Sequence, residues 1–374
     1  MMATGIALWG DRPIGWRFMS TLFGALTLVG MYLWGLALFG NQQKALTVTF
    51  ITLFNQLLYV QSRIGMLDPF MVAFMVWGLA AFCAAWDPNL GRKPLLRYFY
   101  FSGLMFGLAT ACKWMGIIPL ALEIGLIALV FLFRIWGVQF SSSGGQQQDD
   151  WYSPKLWKEL RLRDFILPLG VLPVFVYFLT FIPYLFVHRE AGLPPYEISD
   201  FLDMQIKMWE GQQRVVTSHP YMSSWTSWPL MLRPIWYTFD KEGSRQEIVR
   251  GVILLGNPLI MWTGLIAILL CLRDWIVKRT RTGFLITMIY FSLLLCWMVI
   301  PRKIAFYYYY VPAAMTMSLA LADVLQKLDQ KFKNTRMIFI LMSAGFFVYF
   351  FPILSASKIN AASFTWWMWF RGWI

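Results

Sequence analysis

Four places along this chain set charged side chains inside or beside long apolar runs, and each could do chemistry. The first is Gln61-Ser62-Arg63-Ile64-Gly65-Met66-Leu67-Asp68. The second is Lys113, followed by Trp114. The third is Glu123, well inside the next run, and the fourth is Arg302-Lys303 ahead of the aromatic run Phe306 to Tyr310. Charges within apolar spans are costly, so they point to function by default. Arg presents a rigid fork of donors and Lys a point charge, so a cluster of the two suits a phosphate held at a membrane surface. The plainer readings are equally concrete. Each cation could snorkel from a helix end, and Asp68 could simply pair with Arg63. Glu123 could be neutral and hydrogen-bonded to a neighbouring helix, and the tyrosine run could be packing or an interfacial belt. A second group of residues is His219-Pro220-Tyr221, Ser224-Trp225-Thr226-Ser227-Trp228-Pro229 and Arg233-Pro234-Ile235-Trp236-Tyr237. Aromatic rings stack on sugar faces and the polar groups between them can fix orientation. The plainer reading is a loop anchored at the interface by Trp.

The elements that must position these residues are membrane helices. Of 374 residues, 59% are hydrophobic and 14% charged, with a mean hydropathy of +0.56. A soluble domain averages roughly 45–50% apolar and about 25% charged. The apolar residues fall in runs close to the roughly 20 that cross a bilayer. Spans are expected at 16–39, 45–61, 67–86, 97–113, 115–136, 164–187, 250–272, 283–300, 304–324 and 336–354. The fold class is therefore an all-α polytopic integral membrane protein of about ten transmembrane helices. Loops 87–97, 137–164, 273–282 and 325–336 share one side and hold fifteen Lys and Arg, which marks that side as cytoplasmic. Arg63, Lys113, Arg302 and Lys303 then lie at the outer face, and both chain ends lie outside.

Three parts follow: residues 1–136, a flexible cytoplasmic linker 137–163 containing SSSGGQQQDD, and residues 164–374 with an external loop 188–249. After Pro194 and Pro195, that loop sets Ile198, Phe201, Leu202, Met208 and Trp209 on one helical stripe. This predicts a helix lying on the outer membrane surface. Phe364 to Ile374 holds four Trp and one Arg, is too short to span, and reads as interfacial. The net charge of +13 suits anionic lipid, and no basic run sits in a soluble fold that would bind nucleic acid. The four cysteines form no CxxC pair, and two histidines exclude a multi-histidine metal centre. No cofactor is expected; whether a divalent metal is needed is left open by these residues.

The ordered segments WRFMSTLFGALTLVGMYLWGLALFG, QSRIGMLDPF, GLATACKWMGI, HPYMSSWTSWPLMLRPIWY, LLGNP and PRKIAFYYYYVPA resemble the protein O-mannosyltransferases, membrane glycosyltransferases of GT-C architecture. The resemblance covers nearly the whole chain, and the short external loop resembles the bacterial type. It implies a polyprenyl-phosphate mannose donor and a Ser or Thr hydroxyl of a secreted polypeptide as acceptor. It also implies inversion at the anomeric carbon on the external face of the cell's plasma (inner) membrane, with the secretion machinery as a further partner. By resemblance, Arg63, Lys113 and Arg302 would contact the donor phosphate and Asp68 and Trp114 would support the site. His219, Tyr221, Trp228 and Arg233 would belong to the loop over donor or acceptor.

The sequence departs from the family in one respect. The family has a further N-terminal span and an external loop with an Asp-Glu pair that supplies the catalytic carboxylate. Asp11 lies after the place where that pair belongs, and Glu123 does not match it, so no catalytic residue is assigned. Arg12 and Arg17 precede the first span while only Lys44 follows it, a bias against the orientation this span needs. An N-terminally truncated chain that binds donor poorly and turns over little is the expectation. Two other readings are a GT-C transferase using another lipid-linked sugar or a lipid acceptor, and a small-solute transporter. The absence of a sequence repeat, and charges gathered at one face, weigh against the transporter.

Overall fold

The computed structural model describes residues 1–138, 150–186, 197–214, 217–244 and 246–374. Helix α1 (Met2–Trp9) folds back on α2 (Pro13–Phe39). Pro13 opens α2, and Gly40, at φ 60, ends it in the left-handed conformation that glycine adopts freely. Next come α3 (Gln42–Leu53), α4 (Gln56–Arg63), α5 (Asp68–Ala85), α6 (Arg92–Cys112) and α7 (Ile117–Ile135). A 3-10 turn, a π turn (Ile166–Val171) and α8 (Leu172–Leu179) follow, then α9 (Ile182–Leu185) and α10 (Ile198–Arg214). An antiparallel pair, β1 (Ile235–Glu242) and β2 (Ile248–Leu254), leads into α11 (Pro258–Lys278) and α12 (Arg281–Val299). The chain ends with α13 (Val311–Lys331), α14 (Thr335–Leu354) and the short strand β3 (Ile359–Asn360), which pairs with β2.

Among the described residues, eight helical segments are long and apolar enough to span a bilayer. The remaining two of the ten expected spans differ for physical reasons. The run 45–61 breaks at Phe54, because Asn55 caps a new helix by accepting from the Leu57 amide. The break frees the Phe54 carbonyl, and buried Asn257 donates its amide to that oxygen at 3.1 Å and to the Ser343 carbonyl at 2.9 Å. Backbone groups in a bilayer must find such partners inside the protein. The second case, α13, begins after a 3-10 turn at Tyr307–Tyr310 and is buried along most of its length by its neighbours. A helix shielded from lipid by other helices can carry Asp323 and Lys327.

The run expected as a span at 250–272 is a correction. Its first part is β2, and the helix starts only where Asn257 caps and Pro258 opens α11. The strands lie at the end of the loop expected at 188–249; α10 lies within it, as the stripe predicts. The linker expected at 137–163 is also different in its second half. Residues 139–149, most of SSSGGQQQDD, lie outside the described residues, as do His188, Pro194 and Pro195. Trp151, Tyr152, Leu156 and Trp157 are instead buried against the ends of α5 and α12. Trp86 donates to the Trp151 carbonyl at 2.8 Å and Trp157 to the Ala85 carbonyl at 2.7 Å. The C-terminal stretch is part exposed and part docked: Trp366 is exposed, while buried Trp373 donates to the Met231 carbonyl at 2.7 Å.

The end of the bundle expected to be cytoplasmic is tied by ions. Lys44 meets Asp323 at 2.9 Å, Lys327 bridges Asp323 and Asp274, and Lys278 reaches Asp274 at 2.9 Å. Arg281 donates to the Trp86 and Leu38 carbonyls, closing the ends of α5 and α2.

A candidate active site at one end of the bundle

Lys113 stands where α6 stops. Its backbone is extended (φ −158, ψ 136), and Trp114–Gly116 turns straight back into α7. The turn is tight because Gly116 has no side chain: a Cβ there would lie 2.4 Å from the Ala109 and Thr110 backbone. This geometry aims the Lys113 ammonium at Asp68, the first residue of α5, with Nζ 2.8 Å from Oδ1 and 2.9 Å from Oδ2. Asp68 is buried, whereas the Lys113 side chain keeps 26% of its surface exposed. The same ammonium lies 4.8 Å from the centroid of the Tyr308 ring and 5.3 Å from that of Tyr309. The Arg302 guanidinium sits 4.8 Å from the Tyr309 centroid and donates to the Ile304 carbonyl at 2.9 Å. Two cations therefore share one aromatic wall, and electron-rich ring faces favour that arrangement.

The loop 219–233 is fastened onto this wall. The Ser223 amide donates to the Ala305 carbonyl at 2.9 Å. His219 packs edge-on to Phe306 at 5.2 Å, and Phe306 stacks on Tyr308 at 5.5 Å. Tyr221 donates its amide to His219 Nδ1 at 3.1 Å. Arg233 lies against the Tyr221 ring and donates to the Pro220 carbonyl at 2.7 Å, which fixes the turn that carries His219. Trp228 is buried against Trp297 and Tyr309 and donates to Ser223 Oγ at 2.9 Å. Tyr237, on β1, faces Gln61 and Asp68; burial pushes its phenol well above the usual range, and the Asp68 and Tyr308 charges act the same way.

The structure thus brings Asp68, Lys113, Trp114, His219, Tyr221, Trp228, Arg233 and Arg302 to one end of the bundle. Arg63 is placed differently. Its Nη1 donates to the Leu354 carbonyl at 3.0 Å and to the Tyr59 hydroxyl at 3.3 Å, closing the last turn of α14. The ion pair considered between Asp68 and Arg63 is not made; Lys113 takes both oxygens of Asp68. Lys303 is exposed. Glu123 is fully buried and hydrogen-bonds Ser102 of α6 at 2.9 Å, a contact with a neighbouring helix of the kind expected. Gln61 and Phe306 sit inside segments already marked by motif, whereas Tyr177 lies in an apolar run with no local signal. Among the described residues, no group of three or more His, Cys, Asp or Glu gathers to hold a metal.

The polytopic helical bundle that carries this cation pair has the architecture of the GT-C membrane glycosyltransferases. The protein O-mannosyltransferase Pmt1-Pmt2 complex of S. cerevisiae, solved with the sugar donor bound, matches over 96% of this chain and 81% of its own. That match has a TM-score of 0.73 at 14% identity. ArnT from Cupriavidus metallidurans bound to undecaprenyl phosphate matches with a TM-score of 0.59 at 16% identity, over 96% of this chain and 54% of its own. Residues 9–188 match the dolichyl-phosphate-mannose-protein mannosyltransferase model, and residues 197–373 match the C-terminal four-transmembrane region of protein-O-mannosyltransferase. The chain belongs to the protein O-mannosyltransferase family. Among curated relatives, the polyprenol-phosphate-mannose–protein mannosyltransferase of Mycolicibacterium smegmatis is 23% identical over 100% of this chain and 80% of its own length.

Proposed function

We propose that this protein transfers mannose from a polyprenyl-phosphate mannose to Ser or Thr hydroxyls of polypeptides on the outer face of the membrane. The observation that carries this reading is the placement of Lys113 against the Tyr308 and Tyr309 rings and of Arg302 against the Tyr309 ring, beside the loop 219–233. In a single displacement the acceptor oxygen forms a bond to the anomeric carbon and the bond to the phosphate oxygen breaks. The electron pair leaves with the phosphate, and the hydroxyl proton passes to a base. Fixed positive charge where the leaving phosphate gains charge lowers that barrier. Lys113 and Arg302 are assigned this role; Asp68 and the tyrosine faces hold Lys113 in place. Arg63, with its guanidinium on Leu354 and Tyr59, supports the wall from α14. Tyr221 and His219 of the loop bound the space where sugar and acceptor meet, and buried Trp228 anchors the loop beside them. The membrane is the cell's plasma membrane, and the acceptors are chains delivered by the secretion machinery.

The test uses membranes containing this protein, labelled polyprenyl-phosphate mannose and a Ser/Thr-rich peptide. Label in the peptide supports the reading. Label only in a new lipid product would move the acceptor to lipid, and a donor that does not bind at all would overturn the assignment. Lys113→Ala and Arg302→Ala should each weaken binding of the phosphate donor.

A further inference from the structure

Helix α10 touches Trp114, the residue after Lys113, in two ways. Trp114 Nε1 donates to the Tyr177 hydroxyl at 2.8 Å, and that hydroxyl donates to Gln205 Oε1 at 2.6 Å. One turn further along α10, Trp209 stacks on the Trp114 ring, with centroids 6.4 Å apart and planes 26° from parallel. One turn earlier, Phe201 packs against Phe178 and Phe181, each at 5.2 Å. Positions 201, 205 and 209 repeat every four residues, so a single stripe of α10 makes all of these contacts. The neighbouring stripe, Ile198, Leu202 and Ile206, is 67%, 58% and 57% exposed. Val174 and Phe175 of α8 are likewise exposed, at 68% and 53%. A helix with one apolar stripe on protein and the next one open is suited to lie at a membrane surface with the open stripe on lipid.

We propose that α10 is a lipid-seated latch on the turn that carries Lys113, and that Tyr177 and Gln205 are positioning residues for the phosphate-binding ammonium. This rests on the phosphate role assigned to Lys113 above. The backbone that sets the Trp114 indole also sets Lys113, because Gly116 packs the turn against α6 with no room for slack. Holding the indole by its edge and by its face therefore fixes the ammonium. Releasing the edge contact lets the turn rotate, and Lys113 then spends part of its time away from the phosphate position.

The experiment measures binding of undecaprenyl phosphate and of undecaprenol, the same tail without the phosphate, to the full chain in nanodiscs. Tyr177→Phe and Gln205→Leu should weaken undecaprenyl phosphate about fivefold, the equivalent of one neutral hydrogen bond. Undecaprenol binding and melting temperature should stay as in the parent protein. Gln205→Glu keeps the acceptor oxygen and should bind as the parent does. If Tyr177→Phe fails to fold, Gln205→Leu and Trp209→Ala carry the test. Variants that bind the phosphate like the parent, or lose both ligands equally, overturn the latch alone. A parent protein with no preference for phosphate over alcohol overturns the donor reading and the latch together.

Discussion

At the scale of single residues, the pair Lys113–Asp68 governs what the site can do. Asp68 is 1% exposed and both of its oxygens accept from one ammonium. Removing the cation leaves a buried carboxylate uncompensated, which typically costs about 3–5 kcal/mol. Lys113 is partly open to solvent, so Lys113→Ala should destabilise the fold by about 2–4 kcal/mol on the same basis. The double change Asp68→Asn with Lys113→Met should restore much of that loss, as read by thermal unfolding in detergent, without restoring phosphate binding. Recovered binding in the double variant would show that the ammonium is not the phosphate contact. Each of these residues was legible in the sequence as a charge in an apolar setting. Their pairing was not, since Arg63 lies five positions from Asp68 in sequence and Lys113 forty-five. Only the return of α6 against α5 brings the distant partner nearer. Arg63, which stood out for the same reason, serves a helix end instead, and no local pattern separates those two uses of a cation.

At the scale of elements, Asn257 has more than one task. It caps α11 by accepting from the Leu259 amide and gives its own amide to the carbonyl freed by the break between α3 and α4. Asn257→Ala removes a cap and strips two buried carbonyls of their donor. A cost of about 2–4 kcal/mol is expected from those losses, visible as early unfolding and loss of the α4 residues from the site wall. Gly24→Val tests the other side of α4. A Cβ at Gly24 would fall 2.1 Å from Ser62 Oγ, so the larger side chain should force α4 outward at a cost of about 1–3 kcal/mol. Helices were the legible elements, because runs of about 20 apolar residues have few alternatives. The amphipathic α10 was legible for its stripe. Strand β2 was hidden, since Gly251 to Gly256 is apolar and only the short Asn257-Pro258 step separates it from the helical run that follows. The Asn257-Pro258 step did mark the true start of the helix.

At the scale of the whole molecule, the two ends of the bundle are chemically unlike. The end expected to lie outside gathers cations on aromatic faces; the opposite end, expected to lie inside, closes with alternating Lys and Asp. Sidedness is therefore testable without activity. Thr226→Cys, on the exposed loop, should react with a membrane-impermeant maleimide in intact cells, and Lys333→Cys only after permeabilisation. Reversed labelling would invert the topology and separate the site from the external face. Asp323, buried between Lys44 and Lys327, should be the most sensitive member of the inner network. Asp323→Asn should lower thermal stability by about 2–4 kcal/mol with little change in phosphate binding at the far end. The bundle could be read from hydropathy, and its orientation is the expectation that loop charge sets and the labelling tests. The buried path of α13, and the folding of Trp151 to Trp157 onto the inner end, depend on tertiary contacts that composition does not encode.

The paired ends of β1 and β2 bear on how such a protein could acquire new parts. Glu242 and Ile248 are direct partners across the ladder, so a chain leaving at one and returning at the other need span only about 5 Å. A separately folded module grafted between them would leave the strand register, and the wall built on Tyr237, as they are. The hairpin is thus a port where the part of the enzyme beside the bundle could grow or shrink while the membrane chemistry stayed constant.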